Sequence, residues 1–167
     1  MVLDEIDKKI LNKLQENGKT TNSKLSKMVG ISAPATLERV KRLEAAGIIS
    51  KFTILVDHEK LGYLITGIVN LSLNLSQLTS VEDIKEKFAA LDEVVECYQI
   101  SGENDFILKV ISKNIKTYGE FMNQKLTKID GIRFIKSSFV IDTVKEKRTF
   151  LFDLNEKYKY ESQNNKL

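Results

Sequence analysis

"GISAPATLERVKRLEAAGIISKF", residues 30–52, packs Arg39, Lys41 and Arg42 into one short run behind a Ser and a Pro. Ser32 reads as an N-cap, and Pro34 falls in the first turn, where a missing N–H costs little. Leu37, Val40 and Leu43 recur at helical spacing, and Gly47 closes the segment. At about 100° per residue, that stripe places Ala35, Glu38, Arg39 and Arg42 on the opposite face. A solvated basic surface helix has the same pattern, so the neighbouring segments decide the reading.

Upstream, "LDEIDKKILNKLQENG" (3–18) spaces Ile6, Ile10, Leu11 and Leu14 as a helix, with Gly18 as its C-cap. "TNSKLSKMVG" (21–30) is a short helix with Asn22 as N-cap, Leu25, Met28 and Val29 inward, and Gly30 at its end. Downstream, "IISKFTILV" (48–56) is β-branched and strand-like. Helix, short helix, Gly-containing turn, third helix and strand outline a winged helix-turn-helix. In that arrangement the third helix enters the major groove. Arg39 and Arg42 are suited to guanine edges or phosphates, and Glu38 to a cytosine amino group. Ala35 is small enough for close approach, and Lys24, Lys27, Lys41 and Lys51 suit phosphates. The DNA-facing set is Asn22, Ser23, Lys24, Ser32, Ala35, Thr36, Glu38, Arg39, Arg42 and Lys51.

The whole chain sets bounds on the function. Its 167 residues are enough for one ordinary domain or two small ones, and 42% are hydrophobic, so a core can form. No apolar run is long enough to span a bilayer, and the start has no signal-peptide core. These features lead us to expect a soluble cytoplasmic protein without a membrane partner. The single Cys97 excludes an intrachain disulfide and, inside an apolar strand, reads as buried and inert. The single His58 excludes a His-cluster metal site and reads as an exposed linker residue. No metal site, cofactor or catalytic residue is expected. Glu103 and Asp105 are paired carboxylates, but no His, metal-ligand spacing or glycine-rich phosphate loop accompanies them, so the chain is not read as an enzyme.

Net charge is only +3, yet it is unevenly spread. Residues 19–51 hold seven basic and two acidic side chains, whereas residues 63–144 hold nine basic and eleven acidic ones. The sign change near "DHEKLGY" marks a boundary around residues 57–63. The expected organisation is a DNA-binding domain over 1–50, a linker strand over 51–63, a second domain over 64–144, and a C-terminal tail over 145–167. That tail opens with Lys145, Lys147 and Arg148 and ends in the polar "ESQNNKL", so it reads as a frayed, solvated extension.

The second domain has a different rhythm. "LITGIVNLSLNLS" (64–76) alternates, with Ile65, Val69, Leu71, Leu73 and Leu75 on one face and Thr66, Asn70, Ser72 and Asn74 on the other. Val81, Ile84, Phe88 and Leu91 form a helical stripe, with Ser80 and Asp83 as a box-like cap. "VVECYQI" (94–100) and "DFILKVI" (105–111) are strands joined by the turn "SGEN". A second helix has Ile115, Tyr118, Met122, Leu126 and Ile129 inward and stops at Gly131, before the last strand "IRFIKSSFVIDTV" (132–144). The order is βαββαβ, a ferredoxin-like split unit, and the fold class is α+β. Helices cover one face of such a sheet. The other, with Leu64 and Ile68, is left for an interface.

"LDEIDKKIL", "ISAPATLERVKRLEAAGII", "ECYQISGENDFILKV" and "DGIRFIKSSFV", in this order and spacing, resemble the Lrp/AsnC (feast/famine) family of transcriptional regulators. The resemblance spans residues 3–144. It implies a winged helix-turn-helix joined to a ligand-sensing βαββαβ (RAM-type) domain, dimers built on that domain and often octamers, and a small effector, usually an amino acid. It also supports a recognition helix over 32–46, pairing of "SKFTILV" with its symmetry mate, and an effector pocket at the "SGEND" turn, at a contact between dimers. There Asp105 would accept from an ammonium, while backbone N–H groups around Gly102 would hold a carboxylate. Glu103 and Asn104 complete the turn, Tyr98 and Ile100 shape the side-chain end, and Ile135, Ser137 and Ser138 form the wall.

Two other function classes remain open at the level of sequence. An RNA-recognition motif shares the βαββαβ order, but it stacks bases on exposed strand aromatics, and "DFILKVI" offers Phe106 alone. A free-standing amino-acid sensor subunit that does not bind DNA is the other. Double-stranded DNA, an amino acid and further copies of the chain are the partners of the leading reading.

Overall fold

The computed structural model describes residues 2–74, 80–146, 149–156 and 158. Expectations placed on Leu75, Lys147, Arg148 and residues 161–167 lie outside them. The described residues fall into two compact units, one made of residues up to 55 together with those from 145 onward, the other of residues 56–144. Among the described residues, no helix is long and apolar enough to cross a membrane.

The first unit holds α1 (Glu5–Glu16), α2 (Asn22–Val29) and α3 (Ala33–Ala45). Asp4 and Asp7 cap α1 reciprocally: each carboxylate accepts from the other's backbone N–H, at 2.8 and 3.2 Å. The helix ends on extended Asn17, not on Gly18, because the Asn17 N–H still closes onto the Lys13 carbonyl. Thr21, one residue before the expected Asn22, caps α2 by accepting from the Lys24 N–H at 3.3 Å. Gly30 ends α2 with a left-handed φ of 78°, a conformation glycine adopts without a Cβ clash. Ser32 caps α3 and Pro34 occupies its first turn.

Leu3, Ile10, Leu11, Leu25, Val29, Val40 and Leu43 form the core of this unit. The inward stripe of α3 is Thr36, Val40 and Leu43, spaced i, i+4, i+7. Leu37 sits one residue further round and is exposed, as is Met28 on α2. No strand forms over residues 48–56, and Phe52, Ile54, Leu55 and Val56 stand exposed. A strand needs partners for its N–H and C=O groups, and among the described residues this segment has no ladder. The tail is not a solvated extension where it is described: Phe152 and Tyr158 pack against the core.

The second unit contains β1 (Ile65–Leu73), α4 (Val81–Ala89), β2 (Val94–Gln99), β3 (Phe106–Ser112), α5 (Ile115–Gln124) and β4 (Ile132–Phe139). The sheet order is β2-β3-β1-β4, with every neighbouring pair antiparallel. This is the ferredoxin-like arrangement of a βαββαβ chain. Val69 lies opposite Leu108, and Leu71 opposite Phe106. These residues join Ile84 and Phe88 of α4 and Tyr118 and Phe121 of α5 in one core. Ile115, expected inward, is exposed in the first turn of α5, and Phe121 is buried instead. Leu64 precedes β1 and is exposed, so Ile68 alone of that expected pair lies on the strand. Cys97 is exposed rather than buried, because β2 is the outer strand of the sheet. Partial desolvation still pushes its thiol pKa up.

Gly67 is where β1 admits a ring. A Cβ there would lie 2.8 Å from Cε2 of Tyr118. The ring stands edge-on to Phe139 at 5.0 Å, and its hydroxyl donates to Ser137 at 2.7 Å. Gly67→Val should therefore displace the ring and cost about 1–3 kcal/mol. Denaturant unfolding followed by tyrosine fluorescence measures this, and an unchanged midpoint would contradict the packing argument.

Candidate nucleic-acid interface and effector turn

The basic residues of α3 do not all face solvent. Asp7 has 1% of its side chain exposed. Arg39 Nη1 donates to Asp7 Oδ1 at 2.8 Å and to Asp4 Oδ2 at 2.6 Å. Arg42 Nη2 donates to both Asp7 oxygens at 2.8 Å. With the Asp4 N–H on Oδ2, Asp7 accepts on both oxygens from three donor groups. A buried carboxylate is tolerated only when it is paired and hydrogen-bonded in this way. The two arginines, expected as free base readers, are thus the cross-link between α3 and α1.

This cluster also shifts titration. Partial desolvation of Asp4 opposes ionisation, but the Asp7 amide and the Arg39 guanidinium outweigh it and hold its carboxyl below the usual range. The Asp4 hydrogen bond, chiefly, raises Arg39 against its own desolvation.

The other expected DNA contacts divide. Thr36 is fully buried and donates its hydroxyl to the Ser32 carbonyl at 3.0 Å, so it cannot touch a base. Asn22 and Ala35 are half-buried. Ser32 is exposed, with its oxygen accepting from the Ala35 N–H at 3.3 Å. Ser23, Lys24, Glu38 and Lys51 are exposed. So are Lys27, Pro34, Leu37 and Lys41. The outer face of α3 is therefore Pro34, Leu37, Glu38 and Lys41, bordered by Arg42. The misreading came from taking Leu37 for a core residue, which rotates the apparent face towards Arg39.

In the second unit, the expected effector residues are split by the sheet. The Asp105 N–H donates to the Leu71 carbonyl at 2.8 Å, and its Oδ2 accepts from the Leu73 N–H at 2.7 Å. This carboxylate extends the β1–β3 ladder beyond the last strand residue, a structural duty the sequence did not reveal. Ser72 Oγ lies 3.2 Å from the Glu103 carbonyl and 3.4 Å from Asn104 Oδ1, which ties the turn to β1. Gly102, exposed, has a φ of 128°. The Ile100 N–H donates to the Asp105 carbonyl at 2.9 Å and closes the hairpin. Tyr98, opposite Ile107, and Ser138, opposite Ile68, lie on the face away from the helices. Ile135, opposite Leu71, packs on the helix-covered core, and Ser137 is held by Tyr118. A single wall of Ile135, Ser137 and Ser138 is therefore not formed within one chain.

A cleft of about 660 Å3 lies elsewhere in this unit, lined by Val56, His58, Tyr63, Glu93, Val95 and Lys113 among others, and by none of the expected effector residues. His58 is half-buried there, with Nδ1 2.9 Å from the Tyr63 carbonyl, rather than an exposed linker residue. Phe106, the aromatic an RNA-recognition motif would need exposed, is 1% exposed and packs edge-on against Phe88 at 5.3 Å.

Comparison with known proteins gives two family matches: winged helix-turn-helix DNA-binding over residues 3–50, and the Lrp/AsnC ligand-binding domain over residues 66–150. Transcriptional regulator AzlB of Bacillus subtilis is 36% identical over 156 residues, covering 93% of this chain and 98% of AzlB. The leucine-responsive regulatory protein of Haemophilus influenzae is 37% identical over 144 residues, covering 86% and 87%. Among solved structures, transcriptional regulator NMB0573 of Neisseria meningitidis, in complex with L-Met, superposes with a TM-score of 0.84 at 31% identity, covering 92% of this chain and 97% of that one.

The ion cluster makes two measurable statements. Asp7→Asn removes the charge and replaces one acceptor oxygen by an NH2 donor facing a guanidinium, and should cost about 2–3 kcal/mol in urea unfolding of the first unit. Asp4, with a depressed folded pKa, contributes stability above its unfolded pKa of about 4 and loses it as pH falls through the lower folded value. Asp4→Asn should therefore flatten the acid limb of the melting-temperature profile. An unchanged limb would show that Asp4 is not coupled to folding.

Proposed function

Since the chain belongs to the Lrp/AsnC family of transcriptional regulators, we propose that it acts in the cytoplasm as a homodimer that reads duplex DNA with the outer face of α3 and answers to a free amino acid. What supports this reading is the pairing, in one chain, of a helix-turn-helix match on the first unit and a ligand-binding match on the second. Pro34, Leu37, Glu38 and Lys41 meet the major groove, with Arg42 at its edge. Ser23, Lys24, Lys27 and Lys51 meet phosphates, which contribute affinity without sequence discrimination.

Dimerisation uses the sheet face away from α4 and α5. Ile68, Ile107, Ile111, Tyr98 and Phe134 present apolar surface there, and exposed Phe52, Ile54, Leu55 and Val56 supply a strand with no ladder partner among the described residues. A two-fold dimer presents two recognition helices to half-sites about 34 Å apart, or a multiple of that. Assembly to an octamer rests on the family resemblance.

The amino acid binds at the β2–β3 turn, with backbone N–H groups near Gly102 holding its carboxylate. Asp105 reaches the ammonium through Oδ1, since Oδ2 holds the Leu73 N–H. Wall residues on the uncovered face, Tyr98 and Ser138, contribute only from a neighbouring copy or at the turn's edge. Binding between dimers shifts assembly by differential affinity, and with it the number of half-sites held together.

Selection of duplexes from a random library, with and without L-methionine and L-leucine, tests the whole reading. Lys41→Ala should cost about 1 kcal/mol or more of discrimination if it contacts a base, whereas Lys24→Ala should weaken all duplexes alike and lower the salt slope by about one. Asp105→Asn keeps an acceptor for Leu73 but loses the charge, so calorimetry should show a folded protein with weakened amino-acid binding. A monomer in light scattering, binding to no duplex, or full amino-acid affinity in Asp105→Asn would overturn the respective part.

A further inference from the structure

The tail contributes to the first unit in an unusual way. After leaving the second unit at Val144, the chain lays residues 150–156 and 158 antiparallel along α1. Gln15 donates through Nε2 to the Phe150 carbonyl at 2.9 Å and accepts through Oε1 from the Phe150 N–H at 3.1 Å. Asn12 repeats this with Phe152, at 3.2 and 2.9 Å. Two side-chain amides thus imitate the neighbouring strand of a ladder, meeting alternate residues of the tail. The Leu3 N–H donates to the Tyr158 carbonyl at 3.1 Å. Between these contacts lies Lys8, 4% exposed, whose ammonium donates to the Leu154 carbonyl at 2.7 Å and to the Glu156 carbonyl. That ammonium also lies 5.4 Å from the Tyr158 ring centroid. Phe150 meets Phe152 with rings tilted at 4.7 Å, and Phe152 meets Tyr158 edge-on at 5.3 Å.

Lys8 follows Asp7 directly, so one turn of α1 faces both ways. Its Asp7 side holds Arg39 and Arg42 of α3, and its Lys8 side is held by the tail. We propose that residues 150–156, with Tyr158, are a strap belonging to the DNA interface, and that Lys8 is a positioning residue that fixes α1, and through Asp7 the orientation of α3. Residues 151–158 lie beyond both family matches, although the 156-residue match to AzlB reaches into them. The strap makes the DNA-binding unit discontinuous: residues 1–55 alone are incomplete.

The inference rests on the DNA-binding reading, and the test separates the two. In the full chain, Lys8→Met keeps the straight apolar stem and removes the charge, and Lys8→Arg restores donors. Two readouts are taken below the melting temperature of each variant: amide exchange across α1 and α3, and the affinity ratio between a library-selected duplex and its scramble. Lys8→Met should speed exchange in both helices, leave β1–β4 unchanged, and lower the ratio by about fivefold or more, the loss of one well-aligned base contact. Lys8→Arg should recover both. A chain ending at Arg148 should behave like Lys8→Met or worse, and a peptide of residues 149–167 added in trans should restore it. Wild-type exchange in α3 together with a wild-type ratio in Lys8→Met would overturn the proposal, even if the melting temperature fell. Failure of the wild-type chain to discriminate any duplex would sink the DNA reading, while α3 exchange would still decide the strap's role.

Discussion

Asp7 is a carboxylate buried among apolar helices, and the first unit is arranged around satisfying it. Arg39 and Arg42 come from α3, and the Asp4 N–H comes from the cap of its own helix. The angle between α1 and α3 is therefore set by directional charge-assisted bonds as well as by Leu25, Val40 and Leu43. Apolar packing alone tolerates small rotations of a helix about its axis. A guanidinium held on two carboxylates does not. A recognition helix benefits from that restriction, because its side chains must arrive at base edges with little freedom left to lose.

The same residues explain why the basic charge of this region is only partly offered to DNA. Arg39 is spent on Asp4 and Asp7, while Lys24, Lys27, Lys41 and Lys51 remain exposed. Arg42 does both, with one nitrogen on Asp7 and about half its side chain in solvent. In the second unit a comparable economy holds at Asp105, whose carboxylate extends the β1–β3 ladder beside the turn where a ligand is expected. At both places an ionisable group fixes local geometry.

Much of this architecture was legible in local patterns. Ser32 and Pro34 start α3, Gly30 ends α2, and the alternation of β1 and β3 assigns their buried faces, because each signal depends only on residues a few positions apart. Errors arose where two elements must be compared. Leu37 looked like core until α3 was docked, when Thr36, with its hydroxyl returned to Ser32, took the inward place. The wall of Ile135, Ser137 and Ser138 came instead from the family resemblance, and within one chain β4's own alternation sends Ser138 to the opposite face from Ser137.

The sequence by itself determined the two-part organisation, the α+β class, the helix-turn-helix outline and the βαββαβ order, since periodicity, caps and charge balance are properties of contiguous residues. Only tertiary structure decided which charges are free. Asp7 lies thirty-two residues from Arg39, and Lys8 meets carbonyls almost a chain length away, at Leu154 and Glu156. The sequence shows these groups as solvated surface charge. Burial turns them into obligatory pairs, because a charge removed from water must find its partners wherever the fold brings them.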